Sequence, residues 1–164
     1  MNLLDIIVAF ARTGYIGAAR LGAQLKDIAE VLGPPWAEGS STGADGLPYL
    51  YAYGSLELGT CQAHCQAIDS ITVQTDWPTM EWPSREPGQA ETFPGRPAYS
   101  EVLRALDEAG CAWERHEPLT FEDQCAFRVP ASGAVFVFGT DDGDEPTLHG
   151  VSAYERGPHA CGQG

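Results

Sequence analysis

Three observations predict an α+β fold built from two αβββ units that share antiparallel sheet, preceded by an N-terminal helix. Two amphipathic helical segments, LKDIAEVL and YSEVLRALDEA, run into a glycine and then a tryptophan, in GPPWAE (33–38) and GCAWER (110–115). Each is followed by three short runs with strand periodicity. The two sets correspond at an offset that drifts only from about 77 residues at Gly33 and Gly110 to about 80 at Ile71 and Val151, which is the mark of an internal duplication.

At the N-terminus, MNLLDIIVAFARTG is an apolar helical run broken by Asp5. It has no basic residue ahead of it and no small-residue cleavage site, so it lacks the marks of a secretory signal. No later run approaches membrane-spanning length. The expected compartment is cytoplasmic, with the cysteines (Cys61, Cys65, Cys111, Cys125, Cys161) as reduced thiols. The first repeat covers about 20–75. Its helix places Leu25, Ile28, Ala29 and Leu32 on one face, Gly33 takes a C-terminal position that tolerates positive φ, and Pro34 and Pro35 forbid continuation. Its strands fall at 47–54, 55–60 and 67–75, with alternation clearest at Leu56/Leu58 and Ile71/Val73.

Residues 76–98, with five prolines, read as a connector that tethers the repeats. Trp77, Trp82 and Phe93 are too large for a passive linker. They cover the protein's own sheet, or Trp77 or Trp82 anchors a partner. The second repeat, about 99–155, has Val102, Leu103, Leu106 and Ala109 on its helix face and strands at 124–130, 134–140 and 147–154. Residues 156–164 are expected to be a flexible tail on a single domain spanning 1–164.

The net charge of −14, from 23 acids against 9 bases, opposes nucleic acid and anionic membrane and favours a basic partner. No G-x-S-x-G, P-loop or G-x-G-x-x-G occurs, so enzyme signals are poor. The closest is CQAHC, where Cys61, His64 and Cys65 offer at most three metal ligands from one short turn; a fourth would have to come from Cys161 or His159 in the tail. The expectation is no metal and no cofactor. Asp141, Asp142, Gly143, Asp144 and Glu145 cluster carboxylates without EF-hand spacing and read as a hairpin turn.

Leu21-Gly22, then Ile28, Leu32 and Gly33-Pro34-Pro35, resembles the G-x(5)-V-x(3)-L-G-x-P signature that opens αβββ units of the small outer-membrane lipoprotein (SmpA/OmlA) group, with Ile28 in the valine position. The tandem arrangement resembles the beta-lactamase inhibitory proteins. YGSLEL followed by AIDSITVQT is similar in style to small intracellular bacterial toxin-immunity proteins. The resemblance implies a non-enzymatic binding protein. Tyr49, Tyr51 and Tyr53 share one strand face, as a core stripe or as a recognition surface, and Asp141, Asp142, Asp144 and Glu145 would steer a basic ligand. The function expected is that of an immunity-type inhibitor acting by steric occlusion. The alternatives are a Cys/His-dependent hydrolase or metal-binding enzyme, and a structural adaptor.

Overall fold

The computed structural model describes residues 2–63, 65–140, 145–155 and 161. Helix α1 (Leu3–Thr13) starts because Asn2 and Asp5 cap one another: the Asp5 N–H donates to the Asn2 side chain at 2.9 Å and the Asn2 N–H donates to the Asp5 carboxylate at 2.8 Å. The acid that interrupts the apolar run is therefore what begins the helix. Gly14, at φ 71°, ends it. Helix α2 (Leu25–Leu32) stops at Gly33, φ 83°, and α3 (Tyr99–Glu108) runs into Gly110, φ 69°, after which the Cys111 N–H reaches back to the Leu106 carbonyl at 2.9 Å. Ala98 has no side-chain oxygen to cap α3. Glu145 supplies one from the far side of the chain, accepting from the Ser100 N–H at 2.7 Å.

The strands are β1 (Ala37–Glu38), β2 (Leu50–Tyr53), β3 (Leu56–Thr60), β4 (Ile68–Gln74), β5 (Thr79–Pro83), β6 (Ala90–Pro94), β7 (Glu114–Arg115), β8 (Gln124–Val129), β9 (Ala134–Gly139) and β10 (Thr147–Tyr154). Eight of them form one antiparallel sheet in the order β1-β2-β3-β4-β10-β9-β8-β7, and β5 and β6 form a separate hairpin. The fold is thus α+β. The last strand of each half pairs with the other at the centre, Thr72 opposite Ser152.

One face of this sheet is the floor of the core. Cross-strand register aligns Tyr53, Leu56, Val73, Val151, Phe136 and Phe127 in a single row, and all six are buried. Over them lie Ile7 and Phe10 of α1, Ile28 of α2, and Val102 and Leu106 of α3. Phe127 stacks on Phe136 at 4.5 Å and Tyr99 meets Phe138 edge-on at 4.9 Å. Trp36 packs against Tyr53 at 6.2 Å and Trp113 against Phe127 at 5.3 Å, each half-buried beyond its helix.

The connector differs from the expected tether. Met80 and Trp82 alternate with exposed Thr79 and Glu81 and turn inward into the core, so the segment folds as the β5–β6 hairpin. Pro83 and Pro94 are tolerated because each lies at the end of its strand in a two-stranded ribbon, where a missing N–H costs no interior ladder bond. Among the described residues no helix is long and apolar enough to cross a membrane.

Candidate functional site

Because side chains alternate across a strand, the burial of one face leaves the other to be read directly from the register. On that opposite face a continuous row crosses all eight strands: Ala37, Ala52, Glu57, Thr72, Ser152, Val135, Arg128 and Glu114. A flanking row holds Leu50, Gly59, Ser70 and Tyr154, and another Gln74, Gly150, Val137 and Ala126. Apart from Gly59 and Ala126 these positions are half-buried or exposed. The buried side chains of α1, α2, α3 and the β5–β6 hairpin belong to the core on the other face.

Ala52, Thr72, Ser152 and Val135 keep the middle of this face low, while Glu57, Gln74, Arg128 and Glu114 are longer. Its polar groups are held by one another: Thr72 Oγ1 and Ser152 Oγ lie 3.0 Å apart, Gln74 Nε2 donates to Glu57 Oε2 at 3.2 Å, and Arg128 Nε donates to Glu114 Oε1 at 2.6 Å. Gly59 keeps the surface flat, since a Cβ there would strike the Ser70 hydroxyl. Leu50, 41% exposed, and Tyr154, 60% exposed, supply the large apolar contacts at one end. Such a face suits contact with a protein surface, with fixed side chains that lose little entropy on binding.

The expected recognition tyrosines are placed otherwise. Tyr51 and Tyr53 are buried core residues, with Tyr51 Oη donating to the Pro48 carbonyl at 2.7 Å and Tyr53 Oη to the Gly33 carbonyl at 2.9 Å. Burial pushes the pKa of both phenols up. Of the two readings open to them, core stripe or recognition surface, burial favours the core for Tyr51 and Tyr53, because the helices cover their side of the sheet. Tyr49, outside the strand, is half-buried. Trp82 is only 4% exposed and belongs to the core, whereas Trp77 is 64% exposed. Glu145 is exposed and caps α3; Asp141, Asp142 and Asp144 lie outside the described residues.

Leu50 and Tyr154 were missed. Leu50 sits between Tyr49 and Tyr51, so alternation alone puts it opposite Tyr51; Tyr154 needs the β4–β10 pairing to bring it beside Ser70.

Two further features stand apart from this face. An apolar groove of ≈ 350 Å³ lies between α1, α2 and the hairpin, lined by Ile6, Tyr15, Val31, Leu32 and Trp82 among others. In the turn between β3 and β4, Cys61 and Cys65 are joined by Cys161, whose sulfur is 2.8 Å from Cys61 Sγ and 3.5 Å from Cys65 Sγ. His64 and His159 lie outside the described residues. Burial raises the pKa of the Cys125 thiol, which makes it a poor nucleophile. Comparison with protein-family models, with curated proteins and with solved structures returned no match.

Proposed function

We propose that the protein is a non-enzymatic binding module of the immunity type, which occludes a basic toxin or enzyme in the cytoplasm with the uncovered face of its eight-stranded sheet. The observation that carries this reading is that face: a row of side chains crossing every strand, small at Ala37, Ala52, Thr72, Ser152 and Val135 and with Arg128 held on Glu114, with exposed Leu50 and Tyr154 beside it. A surface spanning eight strands at about 4.8 Å spacing is wide enough for a standard protein interface. The net charge of −14 supports a basic partner, because it attracts such a partner over distances longer than any contact.

The module is, in this reading, a duplicated αβββ unit of the kind seen in the beta-lactamase inhibitory proteins. Its support is the mirrored strand order and the pairing of positions about the central Thr72 and Ser152. Ala37 and Glu114, Ala52 and Arg128, and Glu57 and Val135 occupy equivalent places in the two halves at sequence offsets of about 76 to 78. Duplication doubles the width of the face while leaving both helices on the other side.

Affinity capture from the native lysate tests the proposal, using the wild type, Ser152→Arg in the centre of the face, and Glu30→Arg on exposed α2 as a control. A basic protein retained by the wild type and by Glu30→Arg, but lost with Ser152→Arg, is the expected result. Equal retention by all three, or loss only with Glu30→Arg, would sink the assignment of the face.

A further inference from the structure

The turn CQAHC cannot complete a metal site by itself, but the topology brings it a third thiol. Strand β10 runs antiparallel to β4, so the chain leaving β10 arrives where β4 begins, which is where the 61–67 turn ends. The Glu155 N–H donates to the Asp69 carbonyl at 2.8 Å and keeps the chain on that course. Cys161 follows six residues later, well within reach of the turn.

The sulfur atoms of Cys61, Cys65 and Cys161 all lie within 4.8 Å of one another, and among the described residues they are the one such group of three possible ligands. Tetrahedral zinc with bonds of about 2.3 Å to sulfur needs ligand sulfurs about 3.8 Å apart. The separations of 2.8 Å and 3.5 Å fall short of that value by an ångström or less and the third lies within 4.8 Å, so small side-chain adjustments bring three sulfurs onto one ion.

The turn is also built to hold its shape. Gln66 has φ 48°, in the left-handed region that a residue with a side chain rarely occupies. Its side chain donates to Tyr51 Oη at 3.0 Å, and Tyr51 is itself anchored on the Pro48 carbonyl. The Cys61 N–H closes the turn on the Ala67 carbonyl at 2.8 Å, and the Ala44 N–H braces Gln62 at 2.6 Å. Cys61 is buried and the other two cysteines are half-buried, which limits competition from water.

We propose that Cys61, Cys65 and Cys161 bind a zinc ion that clasps the C-terminal segment to the β3–β4 turn. Thiolate ligands in a tetrahedral array favour zinc over the oxygen-seeking divalent cations. Binding replaces up to three S–H protons, which pass to the buffer, and no electron moves. Three thiolates and Zn²⁺ leave one negative charge, and a neutral fourth ligand completes the tetrahedron. The clasp is independent of the sheet face and of its partner.

The test is metal content of the full chain, purified under reducing conditions, incubated with excess zinc and desalted. One zinc per chain is expected, and cobalt in its place should give the thiolate charge-transfer and strong visible bands of a tetrahedral thiolate site. Cys161→Ser should weaken zinc binding by about a hundredfold or more, while Cys125→Ser leaves it unchanged. In case a variant misfolds, alkylation of the wild type followed by mass spectrometry reads the same site: chelation should speed modification of Cys161 by about tenfold or more and leave Cys125 unaffected. Substoichiometric zinc, an octahedral cobalt spectrum, unchanged affinity in Cys161→Ser, or a Cys61–Cys161 disulfide in place of metal would each overturn the proposal.

Discussion

Replacing Trp82 with alanine tests whether the connector is part of the fold or a tether. The indole is 4% exposed and sits in the core with Met80 and Leu56. Truncating a buried Trp to Ala costs about 3–5 kcal/mol through lost transfer energy and the cavity left behind. Here the ≈ 350 Å³ groove already borders Trp82, so the vacated space opens into it and is hydrated, which favours the lower end, about 3 kcal/mol. With a urea dependence of about 2 kcal/mol per molar, the unfolding midpoint should fall by about 1.5 M. Trp77→Ala, at a residue 64% exposed, should stay within about 0.5 kcal/mol of the wild type. Equilibrium urea denaturation followed by far-ultraviolet circular dichroism measures both. If Trp82→Ala unfolds at the same midpoint as Trp77→Ala, the hairpin contributes nothing to the fold and its packing is wrongly described.

Trp36→Ala and Trp113→Ala should each cost about 2 kcal/mol, less than a full core truncation because both rings are half-buried; urea midpoints that differ by more than half between the two would count against equivalent repeats. For a captured basic partner, raising salt should slow association, whereas Leu50→Asp and Tyr154→Asp should chiefly speed dissociation; surface plasmon resonance separates the two rates, and a salt-indifferent association rate would remove the electrostatic part of the account. Hydrogen bonding from Ser100, side chain first and backbone N–H second, lowers the pKa of Glu145 below its ordinary 4.5. A carboxyl with a depressed folded-state pKa stabilises the fold above its unfolded value and loses that contribution as pH falls through the folded one. Glu145→Gln should therefore melt below the wild type near neutral pH and converge with it in acid well below pH 4.5, as read by thermal scans across pH.

The helices and the six longer strands of the main sheet are legible because each carries its own periodicity or stop signal, whereas the two-residue edge strands β1 and β7 are too short to carry any. Gly33 and Gly110, written as helix ends in the sequence, take the positive φ that this role requires. The β5–β6 hairpin was hidden by its prolines, which read as breakers although Met80 and Trp82 already show strand alternation. Alternation also divides Tyr51 and Tyr53 from Leu50, but it cannot say which side a helix will cover. That decision belongs to the packing of α1, α2 and α3, so the sequence leaves the tyrosines open between core stripe and recognition surface and gives Leu50 no role. Cys161 is 100 positions from Cys61, and only the pairing of β4 with β10 brings the two together.

The most direct measurement of the central claim is covalent surface labelling of the protein alone and in complex with its captured basic partner. Tyr154 lies on the uncovered face at 60% exposure, and Tyr15, at 53%, lines the groove between α1, α2 and the hairpin, so both begin accessible and only one should be covered. Complex formation should protect Tyr154, together with the carboxylates of Glu57 and Glu114, while Tyr15 labels as before. Protection of Tyr15 with Tyr154 unchanged would place the partner on the opposite side of the molecule and contradict the claim that the open sheet face is the binding surface.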